Sequence, residues 1–437
     1  MTPPAPAETH PDALPPLPAT APPSRGPRRT FAALEVPNFR TYAVGQAFAN
    51  TGVWLQNIAL DWLVLQLTGS ATAVGITMAC QFLPIMLLGM HGGALADRLP
   101  KRRVLMLTQV LNAGLAATLA VLTLSGAITP TLIYLLALAA GTVLALDNPT
   151  RQAFVGEVVP AEHLRNAVAL NAAVFQSTRL VGPALAGVLI ATAGTGYAFA
   201  INAVLMLVPV ITLSLMRVEE LLPAARVEHA ERKVSAALRH IAERPHVART
   251  IVLVGVFGTF GLNFPVVLTA MAADTFGGDA SLYGFFNLVL AVGSILGALL
   301  AGSRQHTRVR LILALAAVFG LSQTLAAFAP GVAWFCVALL VMGVSNLAFQ
   351  AMANSSVQLW VEPPYRGRVM GLYMLVFMGG TPIGAPLVGW AVEEFGVRAG
   401  MAACGAIPLA VALGLGVVLT VRALRDARPA APELVAA

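Results

Sequence analysis

Apolar stretches recur twelve times along this chain, at roughly 39–67, 71–95, 104–124, 131–153, 167–193, 196–216, 249–273, 281–303, 310–328, 331–354, 369–393 and 398–421. Each is near the ~20 residues that a helix needs to cross ~30 Å of hydrocarbon. With 57% hydrophobic and 11% charged residues over 437 positions, the composition lies far outside the soluble range. We therefore read an all-α integral membrane protein with twelve transmembrane helices.

Charge between the stretches fixes their direction. The block GGALADRLPKRR, Gly92 to Arg103, is wedged between two apolar runs. Its Arg98, Lys101, Arg102 and Arg103 cannot enter hydrocarbon, where one Arg or Asp costs roughly 2.5–3.5 kcal/mol at mid-bilayer. Of the 27 Lys and Arg residues, all but Arg179 and Arg398 fall on the face that this loop occupies. By the positive-inside rule that face is cytoplasmic, and an even span count puts both termini there, in the plasma (inner) membrane.

The chain also repeats itself. One constant offset pairs Phe175 with Phe377, Gly182 with Gly384, Leu185 with Leu387, Gly187 with Gly389 and Gly194 with Gly396. The fifth and eleventh stretches are thus related, which predicts two pseudo-symmetric six-helix bundles. The expected layout is a Pro-rich disordered cytoplasmic tail at 1–36 and a first bundle at 37–216. A cytoplasmic linker follows at 217–248, then a second bundle at 249–421 and a cytoplasmic tail at 422–437. In the linker, Val227, Val234, Leu238 and Ile241 recur at helical spacing against a charged face, predicting an amphipathic helix.

Several chemistries are excluded. The lysines are Lys101 and Lys233, neither within GxxxxGK[ST], so no P-loop binds ATP. Cys80, Cys336 and Cys404 lie singly in apolar runs, which offers no metal spacing. No HExxH or GxSxG elbow occurs, so neither an enzyme nor a cofactor is expected. The net charge of +7 is spread over short loops rather than one patch, which argues against nucleic acid.

Polar groups inside the stretches mark the candidate site. Gln46, Asn50, Asn57 and Asp61 fall on one face of the first helix, which must then face a cavity or the bundle interior. Asp61 is the one carboxylate deep in that stretch and is the candidate proton carrier; the competing reading puts it at the outer helix end, meeting water. Asn346, Gln350 and Asn354 stripe the tenth stretch, and the repeat offset sets Asn148 and Gln152 of the fourth opposite Gln350 and Asn354. Asn263 is a lone amide in the seventh, while Trp54, Trp62, Phe82 and Phe264 are candidate aromatic walls. Asp147 and Arg151 form an i,i+4 pair in the fourth. Arg179 is buried far from any loop and needs a partner: Asp147, nearby amides or an anionic substrate.

The block GGALADRLPKRRVL resembles the signature loop between the second and third spans of major facilitator transporters. NFRTY and GQ in the first stretch, DNPTRQAF in the fourth, and Asn171, Arg179 and GPALAG in the fifth are similar to the exporter branch that includes enterobactin and macrolide efflux proteins. The resemblance covers about residues 37–421. It implies alternating access between two bundles, proton antiport, and a cavity lined by spans one, four, seven and ten. Gly93, Asp97, Arg98, Arg102, Arg103, Asp147 and Arg151 are the expected conformational motif. After the eighth stretch, GSRQHTRVR keeps Gly302, Arg304 and Arg308 but lacks the acid equivalent to Asp97. The expected function is proton-coupled export of amphipathic small molecules by a single copy. An importer, a facilitated-diffusion carrier or a non-transporting sensor or scaffold is the alternative.

Overall fold

Proline at the first turn and a left-handed glycine at the end bracket the first long helix. α1 (Pro37–Thr68) opens on Pro37, whose missing N–H would be unpaired there anyway, and closes at Gly69 with φ 62°. The computed structural model describes residues 31–222, 234–302 and 309–426, without the side chains of 90–94, 96, 97, 234–237, 363, 364 and 422–426. Residues 1–30 and 427–437 of the expected tails, Val227 of the linker, Arg304 and Arg308 lie outside the described residues, as does the side chain of Asp97. The disorder expected to residue 36 does not hold for Ala32–Glu35, which form a short helical turn with Ala33 buried.

The first half continues with α2 (Ala71–Arg98), α3 (Lys101–Leu124), α4 (Pro130–Val158), α5 (Ala161–Ala193) and α6 (Thr195–Ser214). A short helix, α7 (Val234–Ala242), precedes the second half. There α8 (Pro245–Val256) and α9 (Phe264–Ala270) form one broken span, with π-helical turns at Phe257–Gly261 and Met271–Thr275. Next come α10 (Ala280–Gly302), α11 (Val309–Ala326) and α12 (Val332–Trp360). A second broken span, α13 (Pro363–Gly379) with α14 (Thr381–Phe395), leads to α15 (Val397–Asp426). Among the described residues, eleven spans are long and apolar enough to cross a membrane. α1 matches them in length, and its amides and Asp61 leave it less apolar than those spans require.

Pairing within one half is repeated in the other. α3 packs on α6 as α11 packs on α15, and α2 packs on α4 as α10 packs on α12. The helix-ending glycines paired by the repeat match in conformation, Gly194 at φ 92° and Gly396 at φ 88°. Without a hydrophobic drive between helices in lipid, such packing rests on close contact, small residues and buried polar bonds. Phe257 meets Phe319 and Phe349 at ring-centroid distances of 4.3 and 4.4 Å in the second half, while Leu135, Val188, Val204 and Leu299 point outward.

The halves meet along two matching seams, α5 on α10 and α2 on α14. Small residues allow the approach: a Cβ on Gly284 would lie 2.6 Å from the Pro183 carbonyl, and one on Gly389 would lie 2.6 Å from that of Ala71. Glu393 of α14 completes the second seam by accepting hydrogen bonds from Ser70 Oγ, Thr72 Oγ1 (2.6 Å) and Thr72 N (3.0 Å) at the start of α2. These contacts gather at the end of the molecule away from the basic Lys101–Arg103 segment.

Of the expected apolar face of the linker helix, Ile241 packs against the core while Leu238 does not. Leu238 is exposed, and the face turned inward carries His240, which stacks on Tyr365 at 4.2 Å. Arg244 then pairs with Glu362, holding this segment against the start of α13.

Candidate functional site

Between the halves lies a cavity of about 320 Å³, the low end of the range for small-molecule sites. α1 contributes Trp54, Asn57, Ile58 and Asp61; α2 contributes Met78, Gln81 and Phe82; α5 contributes Phe175, Arg179 and Pro183. From the second half come Leu262, Phe264 and Pro265 of the broken span, Tyr283, Asn287 and Leu290 of α10, and Asn346 and Gln350 of α12. Phe377, Met378 and Thr381 at the α13–α14 junction close the wall.

Asp61 is buried and accepts a hydrogen bond from the Tyr283 hydroxyl at 2.8 Å, which ties the first half to the second. Asn287, one turn on, donates to the Tyr283 carbonyl at 3.0 Å, and Trp62 stacks on the Tyr283 ring at 6.4 Å. The reading that Asp61 merely meets water at a helix end is therefore overturned, and Trp62 supports Tyr283 rather than lining the cavity. Arg179 stands 5.6 Å above the centroid of the Trp54 ring, a cation–π geometry, and has no ion pair among the described residues. The cavity thus holds one acid and one guanidinium among mainly aromatic and aliphatic walls.

Arg179 does not pair with Asp147. That buried carboxylate belongs to Arg151, which reaches it through Nε at 3.0 Å and Nη2 at 2.5 Å. Thr108 and Gln109 of α3 donate to its other oxygen at 2.6 and 3.0 Å, and Arg151 Nη1 donates to Gln46. Gln46 is thereby a member of this cluster toward the basic end and not a cavity residue. Among the other members of the expected conformational motif, Arg98 and Arg103 are exposed. Arg102 caps α6, donating to the Leu213 and Ser214 carbonyls at 2.6 and 3.1 Å, which satisfies helix-end acceptors. Lys101 pairs with Glu157 at 2.7 Å.

The remaining amides divide. Gln350 donates to Asn346 at 2.5 Å, and both line the cavity. Asn354 turns to Gln358 at 2.7 Å, Gln152 is exposed, and Asn50 and Asn148 are half-buried off the cavity wall. The equivalence of Asn148 and Gln152 with Gln350 and Asn354 therefore fails as a cavity feature, because α4 reaches a different hollow. Asn263 is a structural residue of the broken span. Its Nδ2 donates to the Thr259 and Phe260 carbonyls at 2.8 and 3.2 Å, beside the donor that Pro265 lacks. That break is what turns Leu262 and Phe264 into the cavity.

The lining differs from the one expected. Spans one, seven and ten contribute, span four does not, and α2, α5, α10 and the α13–α14 junction do. Tyr283, Asn287 and Gln81 escaped the sequence reading, although Gln81 stands alone in its apolar run and Tyr283 and Asn287 share one at i,i+4 spacing.

Comparison with known proteins gives a consistent picture. The profile of a family described as a transmembrane secretion effector matches residues 28–434. The Staphyloferrin A transporter of Staphylococcus aureus is 24% identical over 79% of this chain and 87% of its own length. The multidrug efflux pump Tap of Mycolicibacterium fortuitum is 27% identical over 82% and 89%, and Macrolide efflux protein A of Streptococcus pyogenes is 22% identical over 88% and 97%. The fold is similar to that of a bacterial homolog of the human lysosomal transporter Spinster, solved inward-facing and unoccupied, with a TM-score of 0.71 at 13% identity over 93% of this chain and 100% of that one.

Proposed function

Because the chain belongs to the transmembrane secretion effector family of major facilitator transporters, with efflux proteins among its relatives, we propose that it exports amphipathic organic molecules from the cytoplasm in exchange for protons. The observation that carries this reading is Asp61: a buried acid in a largely apolar cavity, bonded across the two halves by Tyr283. Losing or gaining one proton there changes the charge of the cavity and the strength of a bond between the bundles. That couples proton occupancy to which end is open. One proton moving down ~100 mV supplies roughly 2.3 kcal/mol, enough for about a fifty-fold gradient of a neutral cargo.

In this reading the basic end and both termini face the cytoplasm, and a single copy in the plasma membrane is the working unit. The seams at Ser70, Thr72, Gly284 and Gly389 close the end away from the cytoplasm and part when that end opens. Arg179, resting on Trp54, meets the electron-rich end of the cargo, and the rings of Phe82, Phe175 and Phe264 take its apolar body.

Accumulation of a panel of fluorescent dyes and macrolides in cells with and without the protein tests this. Lower accumulation in cells that carry it, abolished by a protonophore, is expected. Equal accumulation across the panel, or export indifferent to the protonophore, contradicts the reading.

A further inference from the structure

A second hollow, of about 130 Å³, lies inside the first half and borders the main cavity. Asn57, Gln81 and Phe82 line both, so the α1–α2 seam is the partition between them. Its own walls come from Gln56 of α1, Asn112 of α3, Asn202 and Met206 of α6, and Ala140, Gly141 and Leu144 of α4. Five uncharged amides from four helices therefore face one small space, and no charged side chain lines it.

These amides are poorly matched by the protein itself. Asn202 donates to Gln56, but its Oδ1 is buried without a hydrogen-bond partner among the described residues. The side chains of Asn57, Gln81 and Asn112 make no hydrogen bond with any described residue. Amides placed inside a membrane bundle without partners cost free energy unless something fills the space and bonds to them. The volume suits about four waters, or a polar substituent of similar size. A charged group would lose its hydration and gain no counter-ion, whereas an apolar group would leave the amides unpaired.

We propose that this amide-lined annex is a second subsite, which admits an uncharged hydrogen-bonding arm of the transported molecule, such as a hydroxyl, ether or amide. It rests on the reading of the main cavity as the cargo path. It assigns specificity to a place the main cavity does not provide: cargo bearing a short neutral polar arm is held by α1, α2, α3 and α6 together, while its apolar body stays between the halves.

The full chain with Cys80→Ala, Cys336→Ala and Cys404→Ala, carrying Asn112→Cys or the milder Ala140→Cys, tests this in liposomes. Four methanethiosulfonates serve as probes: 2-hydroxyethyl, methyl, the anionic sulfonatoethyl and the cationic trimethylammonioethyl reagents. Gln350→Cys in the same background reports the main cavity. At both annex positions the hydroxyethyl reagent is expected to react about ten-fold faster than the methyl and both charged reagents, after normalising to the rates at position 350. The same order of rates at 112 and 140 as at 350, a methyl preference equal to the hydroxyethyl one, or no reaction at either annex position overturns the annex. No reaction at position 350 overturns instead the reading of the main cavity.

Discussion

The bond from Tyr283 to Asp61 places a titratable group of one half in the grip of the other, so its removal has a defined signature. Tyr283→Phe deletes one hydrogen bond, worth about 1 kcal/mol, and is expected to slow export several-fold while leaving its protonophore sensitivity in place. Loss of that sensitivity in Tyr283→Phe would mean that the hydroxyl itself carries the proton. The Asp147–Arg151 pair behaves differently because both groups are held away from lipid and from the cavity. Neutralising one partner is expected to cost about 3–5 kcal/mol, so Asp147→Asn or Arg151→Gln alone should lower the folded yield more than the double change. Additive losses would show that the pair is not a unit. Charge was legible at this scale: Asp61, Arg151 and Arg179 stand out because a charge inside an apolar run needs a reason. One partner was too, since the i,i+4 spacing pairs Arg151 with Asp147. Nothing in the spacing says that Arg179 rests on the Trp54 ring, since that depends on how α1 and α5 are rotated about their axes.

Among the elements, the two broken spans shape the cavity. The α8–α9 break packs on the α13–α14 junction, where a Cβ on Gly384 or Gly380 would collide with Thr259. The Gly182–Gly384 and Gly187–Gly389 repeat was visible in the sequence because close helix approach demands a missing side chain. The π-helical turns were not, since one extra residue per turn leaves no mark on hydropathy. Glu393 was likewise invisible as a latch, because its partners Ser70 and Thr72 are more than three hundred residues away in the chain. It binds the positive end of α2 with hydrogen bonds to an anion, and Glu393→Gln removes that charge. Spin labels at Ser125→Cys and Phe395→Cys are then expected to show a larger fraction of long separations than in the unaltered seam. An unchanged distance distribution would leave Glu393 with no role in holding this end shut.

For the whole molecule, the order of spans, their pairing in two matching sets and the membrane class followed from apolar length, basic loops and the internal repeat. The hollow inside the first bundle did not, because its amides are scattered over four helices, with one each on α2, α3 and α6, and such an amide carries no pattern until the helices are assembled. Sidedness remains a consequence of charge: Ser125→Cys and Gly331→Cys are expected to be labelled by an impermeant maleimide in intact cells. Labelling only after permeabilisation would invert the orientation. In the proposed mechanism, cargo leaves in exchange for a proton carried by Asp61. This exchange is tested most directly in liposomes containing the purified protein and a pH-sensitive dye, with addition of a cargo that the cells were found to extrude. The unaltered protein should move protons opposite to the cargo, and Asp61→Asn should carry the cargo only down its gradient with no proton flux. Proton-coupled, concentrative transport by Asp61→Asn at the rate of the unaltered protein would contradict the account.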